Sequence, residues 1–260
     1  KVWDFSRDKQ SWETVGVPHD WAIAGPFDKK WDLQVVAIEQ NGEKKASEKS
    51  GRSGALPWIG KGYYRTSVRI QAEDFRPKEN RAILEFDGAM SNPMVYVNGK
   101  EAGYWAYGYN AFRMDVTDLV KVGDNVVEVS LENMEESSRW YPGAGIYRPV
   151  KLVLTGRAAI DPWATSIRTT CLTKGADAPG GGTQQAAIDY ETQLVGGTSS
   201  VHLAGSNDQK AANTSPDAFM GLACVVDVLN DKGGLEAGER FDVPADGHVK
   251  TTITVSNPTL

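Results

Sequence analysis

The chain has 260 residues and a net charge of −6, enough for one large or two ordinary domains, each with its own core. The acidic balance disfavours nucleic acid and anionic membranes as partners, and no apolar run is long enough to cross a bilayer. Two cysteines, Cys171 and Cys224, and three scattered histidines, His19, His202 and His248, exclude a disulfide framework and predict no metal site.

Trp3-Asp4-Phe5 opens a short extended segment that Val17-Pro18-His19-Asp20-Trp21 ends, with Trp12 and Trp21 available to pin it to a core. His19 beside Asp20 could serve acid–base chemistry, but no nucleophile motif accompanies it, and a structural turn histidine is the plainer reading. From Asp28 to Ser53 the pattern breaks up, and the charged residues 39–50 read as a solvated loop. Strict alternation then begins. Tyr64, Thr66, Val68 and Ile70 share one strand face, and Ala82, Leu84 and Phe86 share another.

Met94 to Val97 followed by Asn98-Gly99 is a strong hairpin signal. The aromatic run from Tyr104 to Tyr109 could stack on a sugar, though filling the gap between two sheets is the expected role. Asp115 to Val120 reads as a capped helical turn, leading to Val127, Val129 and Leu131 in alternation. Val150, Leu152 and Leu154 close the series. Many short alternating strands and no long helix predict an antiparallel β-sandwich over residues 1–156.

A linker around Gly156–Pro162 precedes a second set of strands, with alternation at Ile167, Thr169 and Cys171, at Ile188 to Leu194, at Cys224 to Val228, and at Val249 to Val255. Residues 163–260 are therefore expected to form an immunoglobulin-like sandwich, with both cysteines as small buried side chains. Gly175–Thr183 and residues 196–218 read as loops. Asn213-Thr214-Ser215 has the form of a glycosylation sequon, for which a chance match in a polar loop is the plainer reading.

The stretch from Ser137 to Arg148 runs into the closing strand of the first set, Val150 to Leu154. Pro142, Gly143 and Gly145 give a tight backbone that gathers Trp140, Tyr141 and Tyr147, with Arg139 and Arg148 at its ends. Guanidinium donors and ring faces suit a sugar-contacting surface. A packed corner with a buried aromatic cluster fits the same residue types.

Taken in order, Val17 to Trp21, Gly62-Tyr63-Tyr64-Arg65, Phe86-Asp87-Gly88, Val97-Asn98-Gly99, Tyr107-Gly108-Tyr109 with Phe112, Asp115-Val116-Thr117, and above all Arg139 to Arg148 resemble the N-terminal region of glycoside hydrolase family 2. The second domain resembles the family's immunoglobulin-like domain more weakly, through its position and Ile253 to Pro258. The resemblance implies an all-β fold: a jelly-roll, galactose-binding-like sandwich followed by an immunoglobulin-like one. The Trp-Tyr-x-Gly-x-Gly-Ile-Tyr-Arg form of the loop is carried mostly by the family's β-galactosidases, whereas its β-glucuronidases tend to carry Asn-Tyr-Ala-Gly-Ile-x-Arg.

In the family, a (β/α)₈ barrel after the immunoglobulin-like domain supplies both catalytic glutamates. Retaining hydrolysis needs two carboxylates about 5–5.5 Å apart; the acidic residues here lie on turns and outward strand faces, so no catalytic residue is expected in this chain. By resemblance, Ser138, Arg139 and Trp140 are the residues that reach a substrate hydroxyl, no cofactor is implied, and the partners are a β-galactoside and the barrel. Asn257-Pro258-Thr259-Leu260 resembles the segment before the family's last immunoglobulin-like strand, so the second sandwich is expected to lack that strand, to be the less stable one, and to offer an edge for pairing between chains. A periplasmic or secreted location is the expectation from the family's polysaccharide-degrading members. A free-standing carbohydrate-binding module is the second reading, and a purely structural two-sandwich protein the third.

Overall fold

The computed structural model describes residues 2–28, 30, 37–40, 43–46, 58–134, 143–161, 163–174, 184–196 and 219–256. Every element among them is a strand, so the fold is all-β. In chain order these are β1 (Val2–Ser6), β2 (Glu13–Gly16), β3 (Ala37–Gln40), β4 (Glu43–Ala46), β5 (Gly60–Ile70), β6 (Asn80–Phe86), β7 (Met94–Val97), β8 (Lys100–Tyr104) and β9 (Phe112–Asp115). They continue as β10 (Gly123–Asn133), β11 (Val150–Gly156), β12 (Ala159–Ile160), β13 (Ser166–Lys174), β14 (Gln184–Val195), β15 (Ala223–Leu229), β16 (Leu235–Asp242) and β17 (His248–Ser256). The chain divides into two compact units, the first containing the described residues up to Leu154 and the second those from Thr155 onward.

The first unit is a jelly-roll sandwich. A six-stranded antiparallel sheet in the order β2-β1-β5-β10-β7-β8 faces a three-stranded sheet in the order β11-β6-β9. The alternation explains the packing: Tyr64, Val68 and Ile70 of β5 and Val127, Val129 and Leu131 of β10 turn inward to meet Leu84 and Phe86 of β6 and Phe112 of β9. Phe86 and Phe112 stack with ring centroids 4.7 Å apart. The hairpin between β7 and β8 turns at Asn98 and Gly99, both at positive φ (51° and 76°), as a tight turn with right-handed strand twist requires. At Asp115 the carboxylate accepts the Thr117 N–H (3.0 Å), capping the single turn expected there.

In the second unit β14 is the central strand, paired with β13, with β12 and with β17, while β15 and β16 form a separate ribbon. Its core gathers Leu194, Phe219, Cys224, Val243 and Val249. Cys224 is a buried free thiol, as its alternation suggested.

Several elements depart from the sequence reading. The charged stretch read as a loop contains the two-stranded ribbon β3–β4, in register from Ala37↔Ala46 to Gln40↔Glu43. The expected linker contains β12, whose Ala159 and Ile160 pair with Val195 and Leu194. Ile167 of β13 is 68% exposed, so the alternation there marks a strand without marking a core face. β16 carries too few apolar side chains to have been recognised. Gly175–Thr183, Asn213 and Asn257–Leu260, on which the expectations of a loop, a sequon and an incomplete sandwich rest, lie outside the described residues, as does all of 196–218 except Gly196.

Candidate functional site

The glycines of the loop before β11 fix its path. Gly143 and Gly145 sit at φ values of +106° and +132°, open to glycine and strained for other residues. The segment they shape is bonded on both sides: the His19 N–H donates to the Ile146 carbonyl (2.8 Å) and the Trp21 N–H to the Ala144 carbonyl (3.0 Å), while Gly145 and Met90 exchange two bonds of 2.9 Å. Ala144 and Ile146 are fully buried between these neighbours. A side chain at residue 145 would overlap the His19 carbonyl oxygen and come within 2.6 Å of the Tyr64 hydroxyl. The loop is therefore a packed corner of the sandwich at this end, as one of the two sequence readings held.

Around it lies an aromatic nest. Phe5 stacks on Trp21 at 5.5 Å and lies 5.0 Å from Tyr64, and Trp58 closes on Trp21 at 6.1 Å. Gly62 leaves room for the Trp21 ring, since a Cβ there would lie 2.5 Å from it. His19 enters this nest with its Nδ1 atom 2.7 Å from the Tyr64 hydroxyl. Burial pushes the Tyr64 phenol far above its ordinary range, so it keeps its proton, although the Ile146 backbone bond to it works the other way. Burial also lowers the pKa of His19, against the pull of Glu13 and Asp20. A neutral His19 then accepts the Tyr64 proton bond at Nδ1. Asp20 meanwhile accepts the Ala22 N–H (3.0 Å) at the turn. His19 is a structural histidine here.

Residues 3–156 match the model of the sugar binding domain of glycosyl hydrolases family 2. The chain belongs to glycoside hydrolase family 2. It is similar to a beta-galactosidase of Bacteroides ovatus, 34% identical over 190 residues, which is 71% of this chain and 18% of that one. It is also similar to a beta-glucuronidase of Bacteroides fragilis, 37% identical over 112 residues, covering 40% of this chain and 15% of that one. The solved structure of a family 2 member from Bacteroides cellulosilyticus has the same fold, with a TM-score of 0.71 over 100% of this chain and 30% of that chain at 23% identity. The chain spans less than one fifth of the length of the two curated relatives.

As a family 2 sugar binding domain, the first unit presents its corner loop beside a second one. The Tyr147 hydroxyl donates to the Gly108 carbonyl (2.8 Å), and Gly88 leaves room for the Tyr147 ring. Tyr107 and Tyr109 flank Gly108, with ring centroids 5.7 Å apart and about half of each side chain exposed. This corrects the aromatic run: Trp105 stacks on Phe112 (5.8 Å) and fills the sandwich, but the tyrosines point outward. Arg148 lies over the Tyr147 ring and donates to the Asp87 carbonyl (3.4 Å), which ties it to the loop end. Ser138, Arg139 and Trp140 lie outside the described residues. Among the described residues no group of three or more His, Cys, Asp or Glu side chains is placed to hold a metal ion. Sequence reading missed Met90, which anchors the corner through its backbone; an interaction of that kind leaves no residue-type signature.

Proposed function

We propose that the chain is the accessory N-terminal part of a longer family 2 glycosidase that hydrolyses terminal β-galactosides with retention. The observation that carries this is the family match over residues 3–156 in a chain covering under one fifth of its enzymatic relatives. In this reading the catalytic carboxylates come from a barrel outside residues 1–260, the second unit is the immunoglobulin-like domain between, and the mature enzyme is periplasmic or secreted. The Trp140 to Arg148 form of the loop and the similarity to the Bacteroides ovatus beta-galactosidase support a galactoside. The similarity to a beta-glucuronidase supports a β-glucuronide as the second reading.

Tyr147, bonded to the loop that carries Tyr107 and Tyr109, follows the stretch from Ser138 to Trp140 in the corner loop. The Arg139 guanidinium is the donor assigned to a substrate hydroxyl; a charged hydrogen bond of that kind contributes about 1.5–3 kcal/mol, which orients a sugar without cleaving it. The test is hydrolysis of nitrophenyl β-galactoside, β-glucuronide and β-glucoside by the 260-residue chain and by the longer gene product side by side. Activity confined to the longer form and highest on the galactoside is the expected result. Highest activity on the glucuronide would replace the substrate, and inactivity of both forms would favour a free-standing carbohydrate-binding module.

A further inference from the structure

The outer face of the six-stranded sheet holds a cleft of about 460 Å³, and none of its lining residues belongs to the described part of the corner loop, residues 143–149. Its floor is a cross-strand row: Tyr63 of β5, Ser130 of β10, Met94 of β7 and Tyr104 of β8 stand in register. The next row places Lys61 opposite Glu132, and Asn92 closes the rim. These residues alternate with the buried Tyr64, Val129, Leu131 and Val95, so all of them face away from the core.

The row has the chemistry of a pyranose site. Tyr104 is 37% exposed, and its hydroxyl donates to Asn92 Oδ1 (2.7 Å), which holds the ring in place before any ligand arrives. Tyr63 has the Lys9 ammonium 4.5 Å from its ring centroid, so Tyr104 is the more open platform. The Ser130 hydroxyl, the Glu132 carboxylate and the Lys61 ammonium line the opening without a side-chain hydrogen-bond partner among the described residues, offering a donor in Lys61, an acceptor in Glu132 and a group in Ser130 that is both. The volume falls within the roughly 300–1,000 Å³ of small-molecule sites. The Glu132 carboxylate in the lining repels a second carboxylate, which suits the cleft to a neutral sugar better than to a uronic acid.

We infer that this sheet-face cleft binds a neutral hexopyranose unit, with Tyr104 as the stacking platform and Glu132, Lys61 and Ser130 bonding its hydroxyls. The inference rests on the reading of the chain as part of a carbohydrate-active enzyme, and it concerns side chains to which the proposed hydrolysis assigns no role. The test is titration of the 260-residue chain with methyl β-galactoside, methyl β-glucoside and methyl β-glucuronide, followed by calorimetry and by amide shifts. Saturable millimolar binding of a neutral glycoside, with shifts on β7, β8 and β10, is expected. Tyr104→Ala should weaken it at least about tenfold and Glu132→Gln by less, while Arg69→Ala, at the far end of β5, should leave it unchanged. No saturable binding, binding of the glucuronide alone, or binding untouched by both Tyr104→Ala and Glu132→Gln would overturn the assignment. Since no hydrolysis is read, an inactive longer enzyme would leave this result intact.

Discussion

His19 and Tyr64 are joined by a hydrogen bond of 2.7 Å that also connects two distant stretches of chain, because the Tyr64 hydroxyl takes the Ile146 backbone bond as well. Tyr64→Phe removes the shared oxygen and leaves a buried N–H and an imidazole nitrogen unpaired, so the first unit should lose about 1–3 kcal/mol. Denaturant unfolding followed by tryptophan fluorescence, which the buried Trp3 and Trp21 report, checks this. A loss within error of zero would remove the bond from the account of the corner.

The burial of His19 beside Tyr64 sets a pH dependence. His19 has a folded pKa below that of the unfolded chain, so the unfolded state takes up the proton first. Stability is unaffected above the ordinary histidine value of about 6.5 and falls as the pH drops through it towards the lower folded value. Between roughly pH 7.5 and 5.5 the first unit should therefore weaken, and His19→Gln should flatten that slope. Imidazole signals titrated by NMR provide a direct check: a His19 midpoint at or above 6.5 contradicts the argument.

Two glycines test the shape of the corner. At Gly145 a methyl group meets both a positive φ and the His19 backbone, whereas at Gly99 it meets a positive φ of 76° and nothing within 4 Å. Gly145→Ala should cost about 3 kcal/mol or more, adding overpacking to conformational strain, and Gly99→Ala about 1 kcal/mol. Equal losses in thermal unfolding would show that the corner yields to accommodate the side chain.

Much of the first unit could be read along the chain because its information is local. Tyr64, Val68 and Ile70, or Val127, Val129 and Leu131, declare their shared face by spacing, and Asn98-Gly99 declares its turn by backbone freedom. The ribbon β3–β4 and strand β16 did not, because Glu39, Glu43, Lys44 and Lys45 in the one and Glu236, Glu239 and Arg240 in the other leave no apolar alternation in the sequence. The corner was legible as glycine and aromatic content only. That it is built from Met90, His19 and Trp21 backbone bonds follows from contacts between segments far apart in sequence. The outward turn of Tyr107 and Tyr109 depends on which aromatic side chain already fills the core beside Phe112, and Trp105 does so.

Arg81 and Asp115 form a buried ion pair at 2.8 Å, with side-chain exposures of 11% and 5%. Asp115 also caps the turn at Thr117, so its charge is satisfied from two directions. Arg81→Met leaves a buried carboxylate with half its partners and should cost about 3–5 kcal/mol, more than a surface pair such as Arg69 with Asp124, for which Arg69→Met should cost under about 1 kcal/mol. Urea midpoints of the two variants decide between a structural and an incidental role for the buried pair.

Tyr147 separates the stability of the corner from its proposed use. Its hydroxyl is the side-chain bond to the Gly108 carbonyl, and Gly108 carries Tyr107 and Tyr109 on either side. Tyr147→Phe keeps the ring against Gly88 and removes that tether, so unfolding should change by only about 1 kcal/mol. In the longer enzyme the freed loop should raise KM for an aryl β-galactoside several-fold while kcat falls little, because orientation of the sugar is lost and no reacting group is touched. A drop confined to kcat would place the tyrosines in the chemistry instead, and unchanged kinetics would mean that this end of the sandwich does not meet the substrate.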